Sequence, residues 1–386
     1  MGTSSIIVPR TYRNYSWSDS SRRSFPQQPR GASISGGVVT INDVGIFGHK
    51  LSQAAPPLYY NNFDSATLGA SATTIESATG SGLYLYQPTG NSVVPVVNDR
   101  AYSGAQCLSV SYAADGGTFP QLGWQLPYTT RYLYMSFWTY HQISSLPCAS
   151  HVWKHARSGC GQYYHSAPGT PYFYQTLAPV AATGEMNSGD MGYADGSLDG
   201  TAVTIIEESS TVTQYGPSLN EWTFLEYIYA LPSPYGNTNG GCIMLSNGQG
   251  TFYPPFTNRN TGAAAVTGMT AVADASLLTS WAISVFDGFS FNSGDTNVYT
   301  LHADEFYMDA AIERVVLTDS PTYSSSTLFA MQPILTWNPF TITATLNTPG
   351  FVTGQTAYLH VFNLASLQSM TSGTVTEVAN YEVVLP

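Results

Sequence analysis

The sequence is poor in charged residues. Asp, Glu, Lys and Arg make up 9% of the 386 residues, while the aromatic residues reach 13% and the chain holds 35 glycines and 23 prolines. Charged residues normally cover the surfaces of helical proteins, whereas aromatic residues favour strands and glycine and proline favour turns. The composition therefore predicts an all-β protein with long loops, and the length allows two or three domains.

Long hydrophobic runs are also missing. The most apolar stretch, residues 262–286, contains Asp274, several threonines and two glycines, which disfavour insertion into a membrane. The short apolar run near the N-terminus is interrupted by Pro9 and Arg10, unlike a secretory signal. We therefore expect a protein without a membrane span that is made in a cytoplasm.

Cysteine is scarce, with four in the chain, and two of them flank a cluster of possible metal ligands. Cys148, His151, His155, Cys160 and His165 lie within eighteen residues, but their spacing departs from common zinc patterns. Three alternatives stay open: a zinc site, a disulfide between Cys148 and Cys160, and a long loop with free thiols beyond a core strand. We favour the loop, because a cytoplasm keeps thiols reduced.

The positive charge is concentrated at the N-terminus. The first thirty residues hold five arginines against one aspartate, a charge of +4 that leaves -16 for the remainder of the net -12. An acidic body argues against nucleic acid as the main ligand. Residues 1–55 have little hydrophobic periodicity and are predicted to be an extended basic arm that docks on neighbouring subunits. The candidate assembly residues are Arg10, Arg13, Tyr15, Trp17, Arg22 and Arg23.

Beyond the arm, the pattern is that of short strands separated by turns. Residues 131–142, "RYLYMSFWTYHQ", are apolar or aromatic at both alternating sets of positions, as in a strand that is covered on both faces. Residues 221–232, "EWTFLEYIYALP", repeat this pattern. Strands around Ile342 and Tyr358, with "NYEVVLP" as the last strand, predict a second, smaller sandwich in residues 312–386.

These strands carry a resemblance to a known family. The segments "YYNNFDS", "AYSGAQCLSVSY", "LYMSFWTYHQ", "NEWTFLEYIY" and "HADEFYMD" resemble the concanavalin A-like jelly roll of laminin G-like and polysaccharide-lyase-like proteins. The tail after residue 311 resembles the small Ig-like module, of IPT/TIG type, that follows such jelly rolls in bacterial and phage proteins. The resemblance implies an antiparallel jelly-roll sandwich over residues 56–311, preceded by the arm and followed by an Ig-like β-sandwich.

Jelly rolls of this class often bind glycans. Aromatic rings can stack on sugars while cationic side chains meet acidic groups. The candidate ligand-binding residues are Trp153, Lys154, Arg157, Tyr163 and Tyr164. The Gln-x-His and Tyr-Phe-Lys strands of alginate lyases and the Glu-x-Asp-x-x-Glu strand of related glycosidases are absent, as are nucleophile-elbow and phosphate-loop motifs. We therefore predict no catalytic residues and no cofactor.

Residues 302–320, "HADEFYMDAAIERVVLTDS", contain five acidic residues. On a regular strand Glu305 and Asp309 share a face about 13 Å apart and Asp304 points the other way, a spacing too wide for a glycosidase pair. Asp304 and Asp309 are the candidates for a structural calcium ion. Otherwise this stretch is predicted to close the jelly roll and start the Ig-like module, with its acids solvating the seam between the two domains.

Together these features predict a non-enzymatic structural or adhesive virion protein of a phage, such as a capsid decoration, fibre or tail-associated protein. Its expected partners are further copies of itself, the major capsid or tail proteins, and cell-surface glycans. The alternative is a secreted bacterial carbohydrate-binding protein or polysaccharide lyase.

Overall fold

A computed structural model gives the fold of most of the strand-forming segments. The structure describes residues 30–50, 56–70, 83–86, 95–113, 121–126, 132–145, 152–160, 172–179, 186–194, 217–230, 241–253, 281–290, 297–368 and 376–386. All pairings between the strands of these segments are antiparallel, and regular helix is confined to two very short elements. The predicted all-β fold class is confirmed.

Twenty-two strands follow one another along the described segments. They are β1 (Gly31–Ser35), β2 (Val38–Asn42), β3 (Tyr59–Asn61), β4 (Leu83–Tyr86), β5 (Val96–Val97), β6 (Cys107–Ala113), β7 (Gln121–Leu126), β8 (Tyr132–Ile143), β9 (Val152–Cys160), β10 (Tyr172–Pro179), β11 (Met186–Ala194), β12 (Trp222–Ala230), β13 (Gly241–Ser246), β14 (Gln249–Tyr253), β15 (Trp281–Ser290), β16 (Val298–Asp309), β17 (Arg314–Thr318), β18 (Phe329–Met331), β19 (Ile334–Trp337), β20 (Thr341–Thr345), β21 (Thr356–Phe362) and β22 (Ala379–Val384). The described segments also contain a 3-10 helix, Tyr323–Ser325, and a short helix α1, Leu364–Gln368.

The jelly-roll sandwich consists of two large sheets. An eight-stranded sheet has the order β14-β13-β12-β8-β16-β6-β5, with β3 also paired to β16. A six-stranded sheet has the order β11-β10-β9-β15-β7-β4. Non-consecutive strands are neighbours in both sheets, as expected for a sandwich in which the chain passes between sheets.

Strand β8 lies near the centre of the eight-stranded sheet and is buried on both faces, as its sequence predicts. One face carries Phe137, which stacks on Phe306 with ring centroids 4.7 Å apart. The other face carries Tyr134 and Trp138, which are also buried. A strand with large apolar residues on both faces is stable only where both faces are covered.

The small sandwich also has two sheets, of four strands each. One has the order β1-β2-β20-β19 and the other the order β18-β17-β21-β22. Residues 31–42 therefore form a hairpin in this sandwich, and the prediction that residues 1–55 are an extended arm is wrong for this hairpin. The Gly36–Gly37 turn, with both φ angles positive, closes the hairpin. The core of the small sandwich contains Val39, Ile41, Phe47, Val315, Leu317, Ala330, Ile334, Ile342, Ala344, Ala357, Leu359, Val361, Val383 and Leu385.

A second apolar core joins the two sandwiches. The face of the eight-stranded sheet that carries Tyr134 and Trp138 packs against the sheet β18-β17-β21-β22. This core contains Tyr134, Trp138, Phe224, Ile228, Ile243, Leu245, Tyr307, Ile312, Val316, Tyr323, Phe329, Met331 and Phe362. We call this contact the joint. Within the described segments, neither of the two helical elements has the length and apolar character needed to cross a membrane.

Candidate functional site

Strand β16 contains a bulge at the joint. Asp304 pairs with Trp138, but Tyr307 pairs with Ser136, so β16 has one residue more than β8 across this interval. Glu305 takes up the extra residue with φ of 55°, which is unusual for a non-glycine residue. The bulge brings Asp304 and Asp309 to the same face of the sheet, and the prediction that Asp304 points away from the others is wrong.

Asp304 accepts hydrogen bonds from three backbone N–H groups. Its Oδ2 accepts from the nitrogens of Tyr102 and Ser103 at 3.0 Å each, and its Oδ1 accepts from Glu305 N at 2.8 Å. The side chain is completely buried. Burial raises the pKa of Asp304 to about 8, against the opposing effect of these N–H donors.

Glu305 links three separate parts of the fold. Its carboxylate accepts hydrogen bonds from Tyr60 Oη at 2.8 Å, Ser103 Oγ at 2.5 Å and Asn347 Nδ2 at 2.8 Å. Tyr60 belongs to β3 and Asn347 follows β20 in the small sandwich. Burial, and then the Glu305 charge, raise the pKa of Tyr60 well above its ordinary value, so its hydroxyl remains a donor.

Asp309 pairs with Lys50 inside the protein. Lys50 Nζ lies 2.5 Å from Asp309 Oδ2, and the two side chains are 3% and 1% exposed. Burial raises the pKa of Asp309 to about 7, although the Lys50 ammonium opposes the shift. The pair ties the segment after β2 to the end of β16.

A second buried ion pair crosses the middle of the joint. Arg314 Nε lies 3.0 Å from Glu226 Oε1, and Glu226 also accepts hydrogen bonds from Tyr134 Oη and Tyr323 Oη at 2.8 Å and 2.7 Å. The guanidinium lies 4.0 Å from the ring centroid of Phe362 and 4.6 Å from that of Tyr134. Burial lowers the pKa of the Arg314 guanidinium, but Glu226, Tyr134 and Tyr323 together outweigh burial and raise it.

These carboxylates do not have the surroundings of a calcium site. Calcium needs six to eight oxygen ligands, whereas the partners of Asp304 and Asp309 are N–H groups and an ammonium. Among the residues that the structure describes, no three His, Cys, Asp or Glu side chains are grouped to hold a metal ion. Asp304, Glu305 and Asp309 are also buried, so the prediction that the acids of this stretch solvate the seam is wrong for these three. They hold the seam together through hydrogen bonds and ion pairs.

The rim of the joint carries a cluster of aromatic residues, which we call the aromatic surface: Tyr102, Tyr140 and Trp222, with Arg100. The Trp222 ring contacts Tyr102 and Tyr140, with centroids 5.8 Å and 5.6 Å away. The Arg100 guanidinium lies 4.2 Å from the Tyr140 ring centroid. Trp222, Tyr102 and Arg100 are half-buried, so part of each remains accessible to a ligand.

Polar groups surround the aromatic surface. The exposed Asp99 precedes Arg100, and the exposed Asn220 and Glu221 precede Trp222. Asp99 Oδ1 lies 3.4 Å from Nε2 of the buried His302. Burial lowers the pKa of His302, although the Asp99 charge opposes this shift. Proteins bind sugars with aromatic faces that lie beside a few charged and amide groups. The apolar face of the sugar ring stacks on the aromatic ring, and the sugar hydroxyls need hydrogen-bond partners.

The candidate glycan residues predicted from the sequence fall in two places. Trp153, Lys154 and Arg157 belong to β9, which pairs with β10 and β15 inside the six-stranded sheet. The prediction of a long loop is therefore wrong for residues 152–160, because their backbone is paired on both sides. The pairing is irregular between Lys154 and Ala156. Tyr163, Tyr164 and Cys148 lie outside the described residues. The choice between a zinc site and a disulfide, which depends on Cys148, therefore stays a prediction.

The candidate assembly residues of the arm, Arg10, Arg13, Tyr15, Trp17, Arg22 and Arg23, also lie outside the described residues. The sequence reasoning missed the polar residues of the joint. A signal was present for one of them, because Arg314 is the lone cation of "IERVVLT" and comes directly before the apolar run Val315, Val316 and Leu317. A charged residue in a buried strand needs a buried partner, but the sequence does not say that this partner is Glu226.

Comparison with known proteins gives fold-level likenesses only. No family model matches the chain, and no curated protein matches it. A structure of alginate lyase Aly36B in complex with alginate trisaccharide is 10% identical, covering 66% of this chain and 99% of that one, with a TM-score of 0.42. The cellulose induced protein Cip1 is 14% identical, with coverage of 66% and 97% and a TM-score of 0.39.

A xylan-binding domain, CBM22-1 of Paenibacillus barcinonensis Xyn10C, is 11% identical, with coverage of 67% and 96% and a TM-score of 0.24. At these identities and TM-scores no activity and no site residue is transferred to this chain.

Proposed function

We propose that this protein is a non-enzymatic structural or adhesive component of a phage virion, a capsid decoration, fibre or tail-associated protein. In this proposal it assembles into homo-oligomers through its N-terminal arm, contacts major capsid or tail proteins, and binds cell-surface glycans through exposed aromatic side chains.

The non-enzymatic part of the proposal rests on one observation: the carboxylates of the joint are buried and bind groups of the protein itself. A lyase or hydrolase needs titratable groups that face the substrate. Asp304, Glu305, Asp309 and Glu226 are all buried and accept hydrogen bonds or ion pairs from groups of the protein itself. Their arrangement supports a role in fixing the two sandwiches together, as a structural or adhesive protein requires.

The aromatic surface supports the adhesive part of the proposal. Trp222 offers a half-buried ring between two tyrosines, with Arg100 and the exposed Asp99 beside it. The strand β9, with Trp153 and Arg157, is a second candidate for glycan contact. The two surfaces belong to different sheets, so variants can test them separately.

A titration with acidic oligosaccharides tests binding and catalysis together. We expect saturable binding without the ultraviolet absorbance of unsaturated lyase products. Absence of binding at millimolar sugar would remove the adhesive part, and turnover of an acidic polysaccharide would favour the secreted bacterial enzyme instead. Genomic neighbours that encode capsid or tail proteins are expected for the virion role, and a cleaved leader on the native protein would count against it.

A further inference from the structure

One end of the small sandwich exposes three large apolar side chains. We call Val44, Ile46 and Phe340 the apolar tip. They are 44%, 39% and 58% exposed. The two loops that carry them are joined, because Asp43 N donates to Phe340 O at 2.9 Å and a β-carbon on Gly45 would lie 3.1 Å from the Phe340 ring. The apolar tip is therefore one continuous patch of a kind that commonly marks an interaction site.

The part of the predicted arm that precedes β1, residues 1–29, is attached beside this patch. Gly31, the first residue of β1, pairs with Asn42, the last residue of β2. Arg30 Nε lies 3.2 Å from Asp43 Oδ1, directly before Val44. Residues 1–29 are thus attached within one or two residues of the apolar tip.

The arm carries side chains that suit an apolar patch. Among its first thirty residues are the aromatic residues Tyr12, Tyr15, Trp17 and Phe25. Aromatic side chains, together with arginine, supply most of the binding energy at protein interfaces. Thirteen residues separate Trp17 from Arg30, which in extended form span up to about 45 Å. This reach is enough to cross to an adjoining copy.

We propose that the apolar tip is the docking site for the N-terminal arm, residues 1–29, of a second copy of this chain. The inference rests on the proposed function, in which the arm drives assembly. Because the root of the arm and the apolar tip adjoin each other in one copy, two copies that meet tip to tip place each root beside the partner's tip. Reciprocal exchange of arms then closes a two-fold dimer.

Sedimentation velocity of the full chain over a range of concentrations tests the proposal. The variants are Phe340→Ser in the tip, the double change Tyr15→Ser and Trp17→Ser in the arm, and Val352→Ser as control. Val352 is 67% exposed and lies in the loop between β20 and β21, at the opposite end of the small sandwich. We expect the tip and arm variants to raise the dissociation constant about tenfold or more, and the control to match the wild type.

A mixture of the two defective variants adds a test of exchange. The arm variant keeps an intact tip and the tip variant keeps an intact arm, so a mixture should form a one-to-one complex that neither forms alone. Val44→Ser replaces Phe340→Ser if the latter lowers the melting temperature.

The outcomes separate this inference from the proposed function. If the arm variant dissociates while both tip variants sediment like the wild type, the docking site is wrong but assembly through the arm stands. If the arm variant assembles normally, or the wild type is monomeric at every concentration, both are overturned. Defective variants that stay apart when mixed overturn the exchange of arms between copies.

Discussion

Arg314 and Glu226 form an ion pair at the centre of the joint, with side chains 1% and 0% exposed. Arg314 begins β17 of the small sandwich, and Glu226 lies in the middle of β12 in the large one. Two tyrosine hydroxyls donate hydrogen bonds to Glu226, and two aromatic rings lie against the guanidinium of Arg314. A buried ion pair adds little net stability over an apolar contact of the same shape, but it strongly penalises any arrangement that separates the two charges. The pair therefore favours a single arrangement of the two sandwiches.

Removal of one partner should expose that penalty. Glu226→Gln leaves the Arg314 guanidinium buried without a counter-charge, and we expect a loss of about 3 to 5 kcal/mol in the free energy of unfolding. Denaturant titration measures this loss. Glu221→Gln, at an exposed position just before the same strand, is the matched control and should change stability by less than about 0.5 kcal/mol. A cost for Glu226→Gln as small as that of the control would contradict the role of the pair.

Stability should fall as the pH rises through neutrality. Burial raises the pKa of Asp304 to about 8 and that of Asp309 to about 7, whereas an unfolded aspartate has a pKa of about 4. Between these values the folded chain binds protons that the unfolded chain has released, so the free energy of unfolding decreases with increasing pH. Thermal melting followed by circular dichroism should give a higher midpoint at about pH 5 than at about pH 9.

Two variants provide the controls for this pH dependence. Asp304→Asn removes one of the titrating groups and should reduce the slope. Asp319→Asn should leave the slope unchanged. Hydrogen bonds from Thr327 and Leu328 outweigh burial and lower the pKa of Asp319, so Asp319 changes the stability only at more acidic pH. A midpoint that does not decrease between about pH 5 and about pH 9 would contradict the raised pKa values of the two buried carboxyls.

Glycan binding should depend on Trp222 if the aromatic surface is the site. Trp222→Ala removes the stacking ring and should weaken binding about tenfold or more, as measured by calorimetric titration. Tyr358→Ala, a half-buried aromatic residue on β21 of the small sandwich, is the control and should bind like the wild type. Trp153→Ala tests the β9 surface in the same assay. A loss with Trp153→Ala alone would place the site on the six-stranded sheet.

Close packing at the joint should make Gly248 sensitive to substitution. Gly248, between β13 and β14, has φ of 70°, and a β-carbon there would lie 2.7 Å from the backbone oxygen of Tyr323. Gly36 has φ of 57° with nothing within 4 Å. Gly36→Ala should therefore cost only the left-handed strain of about 1 kcal/mol, while Gly248→Ala should cost clearly more in denaturant titration. Equal costs for the two substitutions would mean that the β13–β14 hairpin and the small sandwich do not pack as described.

The strands could be predicted from the sequence where the hydrophobic pattern is simple. In β8 and β12 apolar residues at both alternating sets of positions indicated strands covered on two sides, and their burial confirms it. The alternation around Tyr358 and His360 likewise indicated β21. Each of these patterns is local, so a single segment carries all the information needed.

The joint could not be predicted because its determinants are not local. A bulge at a non-glycine residue such as Glu305 has no sequence signature, yet it decides which carboxylates share a face. The partners of Glu305, from Tyr60 to Asn347, come from segments that the fold alone brings together. The acidic character of Asp304, Glu305 and Asp309 suggested a cation site or a solvated seam. The hydrogen-bond donors that surround these carboxylates could be identified only from the structure.

The claim that this is a self-assembling, non-enzymatic protein is tested most directly by electron microscopy of the purified full-length chain. The account predicts ordered particles of uniform size, built from copies of the two joined sandwiches. Single, separate copies at all concentrations, from a preparation that also cleaves an acidic polysaccharide, would contradict it.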